Sequence, residues 1–414
     1  MISLVIPSRN NYKYVKFAYN SIRKYIGKDV EVILLDDAST DDTWKWMIDT
    51  SKSDSNVKIY INEGPDRVGH TVLYDIGATM ATNKIFGIFH ADMVATPNYI
   101  KNMVKNLKPN RVVSSTRIEP PLHPPGPEKL TVDLGFEPEE FKENEFLQLV
   151  KDQEPRNADK LTQGVFAPWI MYVSDFQAIG GHDKRVFAPM ELEDSDLFNR
   201  FLLAGYDLVQ SRDAFVYHMT CRGSRFKDGI KIIQEIPLGN GQVWKRSKDS
   251  EEYTKLRQIK FREWWRKWHM DVLHDTNMLP IVYPRYDTGF IIKNCPYDLI
   301  QHLEPWCDTL YIESPSYIEK YIKEEQIQSK FDIKKRVVLF TNDNRNDIMI
   351  EFDAKEFNGN NHMEFIKQIP LIVKDSGEIG TMKYDIFTFD ISKIESIEKI
   401  LIHADNPLYI NKLL

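Results

Sequence analysis

The segment IFGIFHADMV, residues 85–94, is a run of apolar and aromatic residues interrupted by His90, Ala91 and Asp92. Its composition predicts a buried strand that ends at these three residues. Asp92 would then lie at the carboxyl end of a strand, and this edge is where ligands bind in open α/β sheets. A carboxylate there can hold a divalent cation together with substrate phosphates and water. The structural alternative is an Asp that only caps the following helix.

The segments around this strand alternate between strand and helix patterns. Apolar runs predict strands at residues 3–6, 31–35, 57–61 and 111–118, whereas apolar residues at helical spacing predict helices at 14–25 and 71–81. Such alternation predicts an α/β fold with a mostly parallel sheet and right-handed crossovers. Asp36 and Asp37 follow the second strand, so they are expected on the same sheet edge as Asp92.

A second acidic group opens a later helix. The residues are Glu191, Glu193, Asp194 and Asp196, and an apolar stripe follows them. The helix dipole stabilises one or two acids at this position, but four exceed what a helix start requires. His218 follows the next predicted strand, at 207–217. A lone His is more often a surface or core residue than a ligand.

Composition restricts the class of protein. A net charge of −7 and a pI of about 5.9 argue against nucleic-acid binding. The three cysteines, Cys221, Cys295 and Cys307, are far apart and in no metal-binding spacing, which fits a reducing cytoplasm. The chain shows no leader-like start and no run of 18 apolar residues. We therefore expect a cytoplasmic protein without a transmembrane segment, in which peripheral membrane contact is possible.

The chain is long for a single core, and its last third differs in pattern. We expect a helical connector at 230–285 and a small α/β domain at 286–414, for which no catalytic constellation is recognised. The connector interleaves Trp264, Trp265 and Trp268 with cations. We expect the tryptophans to pack onto a domain while the cations stay in water; the alternative is a helix lying on an anionic membrane surface. The proline-rich segment at 119–127 is expected to be a surface flap.

Together these motifs resemble the family-2 glycosyltransferases of the GT-A type, over residues 1 to 225. The segments that carry the resemblance are LVIPSRN, VILLDDASTDDT, Asn62-Glu63-Gly64, FHADM, Ile179-Gly180-Gly181-His182-Asp183, ELEDSDLFNRFLLAGYDL and Val216-Tyr217-His218. The resemblance implies a GT-A nucleotide-diphospho-sugar transferase fold, which is Rossmann-like. The catalytic domain would span 1–229. The implied activity is inverting transfer of a sugar from a nucleotide diphosphate, UDP by resemblance, to a glycan or lipid-linked acceptor.

The resemblance also implies roles for individual residues. The nucleotide-sugar site would comprise Pro7, Ser8, Arg9, Asp37, Asn62, His70, Ala91 and Asp92. Asp92 would hold a divalent cation, Mn²⁺ or Mg²⁺, with His218 as a second ligand. Asp194 would be the catalytic base, with Glu193 beside it. Glu193 and Trp169 would contact the acceptor.

The sequence departs from the family pattern at His90, where the first acid of the metal motif is expected, and at His182, where a phenylalanine is common. The first departure leaves the choice between manganese and magnesium open. A sugar-phosphate nucleotidyltransferase is a competing interpretation, but that class needs a Gly-rich loop where this chain has Pro7-Ser8-Arg9-Asn10. A non-catalytic glycan- or nucleotide-binding protein on a decayed transferase scaffold is the third hypothesis.

The proposed chemistry requires two groups on opposite sides of the anomeric carbon. A cation held by Asp92 would neutralise charge on the leaving diphosphate, and a carboxylate would take the proton of the acceptor hydroxyl. A helix N-terminus lowers the pKa of a carboxyl group, which would weaken Asp194 as a base. We therefore expect Glu193 or partial burial to counter that effect.

Overall fold

The computed structural model describes residues 1–220, 225, 230–238, 243–341 and 345–404. The chain divides into two compact units. The first comprises Met1–Lys184, Ala188–Leu256 and His274–Pro280, and the second Arg185–Phe187, Arg257–Leu273 and Ile281–Leu414. The division of the sequence at 229 and 285 stays a prediction, and residue 229 lies outside the described residues. Cys221 does as well, while Cys295 and Cys307 are free thiols.

A ten-stranded sheet organises the first unit, with β3-β2-β1-β4-β9-β6-β10-β5 in order, β7 beside β6 and β8 beside β10. The strands are β1 (Ile2–Ser8), β2 (Glu31–Asp37), β3 (Val57–Asn62), β4 (Ile85–Ile88), β5 (Met93–Val94), β6 (Arg111–Glu119), β7 (Lys129–Thr131), β8 (Leu161–Gln163), β9 (Trp169–Tyr172) and β10 (Asp207–His218). Strand β1 pairs in parallel with β2 and β4, as β6 does with β10. The predicted α/β fold with a largely parallel sheet is therefore confirmed.

Helices connect these strands. They are α1 (Tyr12–Tyr25), α2 (Thr43–Ser53), α3 (His70–Met80), α4 (Tyr99–Val104), α5 (Glu143–Gln153), α6 (Val173–Ala178), α7 (Lys184–Phe187), α8 (Glu193–Leu203) and α9 (Glu251–Trp268). Helix α3 approaches β1 so closely that a Cβ at Gly77 would lie 2.2 Å from Val5 Cγ1. Only glycine allows this contact without displacing the strand. The contact packs the second half of α3 against the middle of β1.

The strand predicted in the segment 85–94 is β4, and it ends just before His90, Ala91 and Asp92, as the sequence indicated. Phe89 N still donates to Val5 O at 3.0 Å, but Met93 N donates to His90 O at 3.2 Å, which closes a turn. The chain then forms β5, which pairs antiparallel with β10. Asp92 therefore lies in a turn between two strands. Strand β9 runs antiparallel between β4 and β6.

The region predicted as a helical connector begins with strands. Strands β11 (Ile232–Pro237) and β12 (Val243–Ser247) form an antiparallel pair, and helix α9 follows. The helical expectation was therefore wrong for the first part of this region. The β-branched residues at 232–233 and the valine and tryptophan at 243–244 favour strands, which the prediction overlooked.

The second unit contains a six-stranded sheet in the order β15-β14-β13-β16-β18-β17. Its strands are β13 (Thr288–Lys293), β14 (Thr309–Ile312), β15 (Val337–Leu339), β16 (Ile348–Asp353), β17 (Gly380–Tyr384) and β18 (Phe387–Ile391). Its helices are α10 (Tyr297–Leu303), α11 (Pro315–Glu325), α12 (Ile333–Arg336) and α13 (Gly359–Ser376). Strands β13 to β16 are parallel and β17 and β18 antiparallel, which matches the expected small α/β character.

The tryptophans of α9 are packed inside the second unit. Trp264 and Trp268 are buried, and Trp265 stacks on Trp306 with ring centroids 5.1 Å apart. The cations beside them do not stay in water as expected, because Arg266 and Lys267 are buried too. These tryptophans are therefore not available to a membrane surface. In the described part of the chain, no helix combines the length and the apolar character that a bilayer crossing demands.

Candidate functional site

Three side chains that could bind a metal meet after the last residue of β4, before the first residue of β5 and at the last residue of β10. Ligand atoms of His90, Asp92 and His218 all lie within 4.8 Å of one another. His90 and Asp92 come from the turn after β4, and His218 is the last residue of β10. The register Met93↔His218 places the turn beside that strand end. The pairing of β5 with β10 therefore assembles the cluster.

The charges in this cluster are strongly coupled. His218 Nε2 lies 3.5 Å from Asp92 Oδ1, and both side chains are buried. Burial alone disfavours the imidazolium, but the negative charges of Asp92 and Glu119 outweigh it and raise the pKa of His218 to about 9. Burial and the positive charge of His218 lower the pKa of His90 to about 3. Without a cation, His90 is therefore neutral at pH 7 whereas His218 is charged, so a metal would have to displace a proton from His218.

This donor set fits a divalent cation. Two imidazoles and one carboxylate converge on one point, and such a set leaves coordination positions for a substrate. The alternative role for Asp92, capping the helix that follows, does not apply. Helix α4 begins at Tyr99, and its N-cap residue is Asn98.

Asp37 lies at the predicted sheet edge, where it holds the loop between β3 and α3. Its Oδ1 accepts hydrogen bonds from Val68 N at 2.7 Å and Asn62 Nδ2 at 3.2 Å. Its Oδ2 accepts from Gly69 N at 3.0 Å and lies 3.6 Å from Arg67 Nε. The carboxylate thus fixes the loop that enters α3, and its predicted contact with the nucleoside stays a prediction.

Polar groups at the end of β1 lack partners. Ser8 Oγ and the Nη1 atom of Arg9 are buried, and neither has a hydrogen-bond partner among the described residues. A buried unsatisfied donor costs roughly 1–3 kcal/mol, so such atoms call for a ligand or water. Pro7 and Ser8 lie beside Leu35 and Asp36 in the sheet. The predicted nucleotide-binding residues of β1 therefore carry unused hydrogen-bonding capacity.

Glu193 is buried at the start of α8, where it pairs with His70 at the start of α3. One carboxylate oxygen contacts His70 Nε2, while the other has no partner among the described residues. Burial favours a neutral carboxyl group, but the charge of His70 prevails and lowers the pKa of Glu193. The same pair raises the pKa of His70. The two helix starts are thereby joined through one ion pair.

Asp194 is the exposed member of the acidic pair. The protein around it excludes much of the water that would solvate a charge, and this effect, together with the charge of Glu193, raises the pKa of Asp194 to about 6. Burial and the charge of Glu193 thus offset the lowering of this pKa by the helix dipole, as the sequence analysis expected. Glu191 and Leu192 precede it with φ of 82° and 67°, values that are uncommon for residues other than glycine and that concentrate at functional sites.

Tyr74 lies near acids of both groups. Its side chain is buried in α3, and burial together with the charges of Glu193, Asp194 and Asp92 raises its pKa well above the usual value. The charges of the neighbouring Glu193 and Asp194 and of the distant Asp92 therefore all reach its hydroxyl group. His70 contacts the Tyr74 ring, with centroids 5.5 Å apart. Tyr74 is thus close to one member of the cation cluster and to the acidic pair.

Two predicted residues do not present a side chain to this space. Trp169 is 2% exposed and packs edge-on against Phe86 and Phe201, with centroids 5.6 and 6.5 Å away. It lies in strand β9 rather than in a loop, because strand pairing on both sides places it in the core. The expected contact with an acceptor is therefore corrected to a core role. Ala91 is buried in the turn and contributes backbone only.

The sequence prediction missed His90 as a candidate ligand and Glu119 as the neighbour of His218. The HxD spacing of His90 and Asp92 was a usable signal, because imidazole is itself a common metal ligand. Glu119 carried no comparable signal. It was assigned to the proline-rich segment, whereas the structure extends β6 through Glu119, beside His218.

Comparison with known proteins finds similarity in the first part of the chain. Residues 3–149 match the family described as Glycosyl transferase family 2. A relative from Haemophilus influenzae (strain ATCC 51907 / DSM 11121 / KW20 / Rd), described as an uncharacterized glycosyltransferase, is 28% identical over 110 residues. This alignment covers 27% of the chain and 33% of the relative. The resemblance seen in the sequence is therefore confirmed for this region.

Solved structures show weaker likeness. The mannosyltransferase PcManGT from Pyrobaculum calidifontis, in complex with GDP-Man and Mn²⁺, has a TM-score of 0.40 and 16% identity over 64% of this chain and 63% of that chain. GalNAc-T7 with UDP, GalNAc and Mn²⁺ has a TM-score of 0.38 and 15% identity over 53% of this chain and 43% of that chain. At this similarity neither structure assigns a role to a residue of the chain.

Proposed function

We propose that this chain, whose residues 3–149 form a family-2 glycosyltransferase domain, transfers a sugar from a nucleotide diphosphate to an acceptor hydroxyl with inversion at the anomeric carbon. One observation carries the proposal. Asp92, a member of the cation cluster, and the exposed carboxylate of Asp194 both lie near enough to the buried Tyr74 for their charges to raise its pKa. A donor held by its diphosphate at the cluster would thus place its sugar near a carboxylate that can accept a proton.

Asp194 is the proposed catalytic base. Its exposure lets an acceptor hydroxyl approach, and its pKa of about 6 is closer to neutrality than that of an ordinary Asp. A general base works best when its pKa lies near the working pH, because it is then largely ionised and still basic enough to accept a proton. Glu193 would keep this pKa raised through its charge, while its pairing with His70 fixes the position of the helix start.

His90, Asp92 and His218 are the proposed ligands of the divalent cation. When bound, the cation would act as a Lewis acid that neutralises charge on the leaving diphosphate. The protein's contribution is to hold the three side chains at fixed strand ends. Ser8 and Arg9 would take part in nucleotide binding, because their buried polar atoms lack partners within the described residues.

The proposal is tested on the full chain with a panel of nucleotide sugars, beginning with UDP-sugars. Melting temperatures are measured with and without Mn²⁺, because a ligand at about 100 times its Kd stabilises the folded state by about 2.7 kcal/mol. We expect at least one donor to raise the melting temperature only when Mn²⁺ is present, and to release its nucleotide on incubation with acceptors.

The matched control is Asp92→Asn, which removes one charged ligand and should abolish the metal-dependent stabilisation. The configuration of the transferred sugar, read by NMR of the product, tests inversion. A chain that binds no nucleotide sugar under any of these conditions would refute the proposed function. Retention at the anomeric carbon would refute the single-displacement step that uses Asp194.

A further inference from the structure

Glu119 lies directly behind the cation cluster. It is the last residue of β6 and is 1% exposed. Strand β6 pairs in parallel with β10 in the register Ile118↔Tyr217, so the two strands end side by side at Glu119 and His218. His218 Nδ1 lies 2.8 Å from Glu119 Oε1. The carboxylate therefore contacts the ring nitrogen that does not face Asp92.

The other contacts of Glu119 hold this carboxylate in place. Arg117 Nε lies 3.3 Å from Oε1, and Lys129 Nζ lies 3.1 Å from Oε2. Both cations are largely buried, and β7 pairs with β6 in the register Arg117↔Lys129, which keeps them on either side of the acid. A buried carboxylate with two fixed cationic partners has little freedom to move. Its position is therefore set by the sheet.

This geometry determines how the imidazole of His218 is presented. Because Nδ1 donates to Glu119, Nε2 is the nitrogen left for a cation, and it lies 3.5 Å from Asp92 Oδ1. A carboxylate behind a metal-binding His fixes its tautomer and ring orientation and makes it a better ligand. We propose that Glu119 is a positioning residue that holds His218 Nε2 toward the divalent cation. This inference rests on the cation site of the proposed function.

Glu119 also lies at the base of the proline-rich segment, residues 120–127. This segment leaves β6 at Glu119 and returns to β7 at Lys129, and both ends contribute to the same ionic network. His123, within the segment, has its Nδ1 3.7 Å from Glu119 Oε2. One carboxylate thus contacts the metal-binding His218 and the segment. Glu119 therefore lies between the segment and the cation site.

The test measures binding of Mn²⁺ alone to the full chain by isothermal titration calorimetry. Loss of such a partner typically costs about 10–100-fold in metal affinity, so we expect Glu119→Ala to raise the Kd by that factor. Glu119→Gln keeps an oxygen that can accept from Nδ1, and we expect a smaller rise, about two- to tenfold, on the same basis. A matched variant of the same ionic network separates this effect from a general loosening of the fold.

Glu128→Gln is the matched control. Glu128 shares Arg117 and Lys129 with Glu119, through contacts of 3.2 and 3.5 Å, and no described contact joins it to His218. We expect its Kd for Mn²⁺ to stay at the wild-type value. Circular dichroism of each metal-free variant checks folding. If Glu119→Ala does not fold, the Kd of Glu119→Gln for Mn²⁺ is compared with that of Glu128→Gln, and a higher value in Glu119→Gln supports the positioning role.

Each outcome separates the two proposals. If Glu119→Ala binds Mn²⁺ with wild-type affinity, the positioning role is overturned and the proposed transferase function is unaffected. The same holds for Glu119→Gln if only that variant folds. If Glu128→Gln weakens Mn²⁺ binding as much as the Glu119 variants do, the positioning role is also overturned, because the effect would then belong to the ionic network as a whole. Absence of Mn²⁺ binding in the wild-type chain would remove the cation site itself and the positioning role with it.

Discussion

The imidazole of His70 and the carboxylate of Glu193 share a hydrogen bond across 123 positions of sequence. His70 begins α3 and Glu193 begins α8, so this bond joins two helix starts at the candidate site. Glu193 is buried, and its second oxygen has no partner within the described residues. Loss of His70 would therefore leave a buried carboxylate with little compensation.

We predict that His70→Ala lowers the free energy of unfolding by about 1–3 kcal/mol, the cost of a buried group that loses its partner. Urea unfolding of the full chain at pH 7 measures the change. His70→Gln is the control, because its amide nitrogen can donate to the same oxygen, and it should recover most of the loss. Equal stability of His70→Ala and the wild-type protein would show that the pair contributes nothing.

A second prediction concerns Asp194→Asn. If Asp194 is the base, kcat for sugar transfer should fall about 100-fold or more, since general base catalysis contributes about 10²–10⁴-fold. Donor binding, measured by the melting temperature with Mn²⁺ and nucleotide sugar, should persist. The folded pKa of Asp194 lies above its ordinary value of 3.8, so its ionisation opposes folding at pH 7. The variant should therefore be at least as stable as the wild-type protein while inactive.

The pH dependence of transfer is a third prediction. A base with a pKa of about 6 is protonated below that pH, so kcat/KM should fall as the pH falls through 6, by about tenfold per unit. The residual activity of Asp194→Asn should lose this limb. A wild-type profile that is flat between pH 5 and 7 would contradict the assignment. Metal binding is measured separately at each pH, because protonation of the ligands also weakens it.

Gly69 provides a test of how the loop before α3 meets the segment before α8. Its φ is 85°, and a Cβ there would lie 2.0 Å from the carbonyl oxygen of Pro189. Gly205 has a similar φ of 79° but open space around its Cβ position. Gly205→Ala should cost about 1–2 kcal/mol of backbone strain. Gly69→Ala should lower the free energy of unfolding by clearly more, because the backbone at Pro189 or Gly69 must also move to make room for the Cβ.

Urea unfolding of both variants under the same conditions measures the difference. Gly69 N also donates to Asp37, so the movement should weaken nucleotide-sugar binding in Gly69→Ala and leave it unchanged in Gly205→Ala. Similar losses of stability in the two variants would mean that the close approach to Pro189 is not required.

The sequence was sufficient for features that depend on local pattern. Apolar strands followed by acids placed Asp37 and Asp92 at one sheet edge, because the carboxyl ends of parallel strands share that edge. The excess of acids at the start of α8 marked that helix start as a candidate site, while the role of Asp194 came from the family resemblance. The positions of these groups needed only the order of strands and helices and the charges at their ends.

Features that depend on strand register were not predictable. Glu119 lies beside His218 only because β6 pairs with β10, and these residues are 99 positions apart. The short strand β5, which follows Asp92, depends on its pairing with β10 as well. Trp169 was assigned to the acceptor by the family resemblance, whereas the pairing of its strand on both sides buries it. Long-range pairing therefore sets the limit of the sequence analysis.

The buried ionic network of the second unit carries the last prediction. Glu304 is fully buried and lies 2.6 Å from Arg266 Nη2, and it also accepts hydrogen bonds from Arg336 Nε and from Tyr321 OH. Burial favours its neutral form, but the two arginines prevail and hold the pKa of Glu304 well below the usual range. Removal of the charge would leave both guanidinium groups buried with less compensation.

We predict that Glu304→Gln lowers the free energy of unfolding by about 3–5 kcal/mol, as expected when one partner of a buried ion pair is lost. Glu351→Gln is the control, because the pair of Glu351 with Lys293 is solvent-exposed and should contribute little. Urea unfolding followed by tryptophan fluorescence suits this unit, since Trp264, Trp265 and Trp268 lie within it. Since the folded pKa is depressed, the wild-type advantage over Glu304→Gln should be present above pH 4.5 and shrink as the pH falls below it. An advantage that instead grew on acidification would show that the arginines do not stabilise the ionised carboxylate.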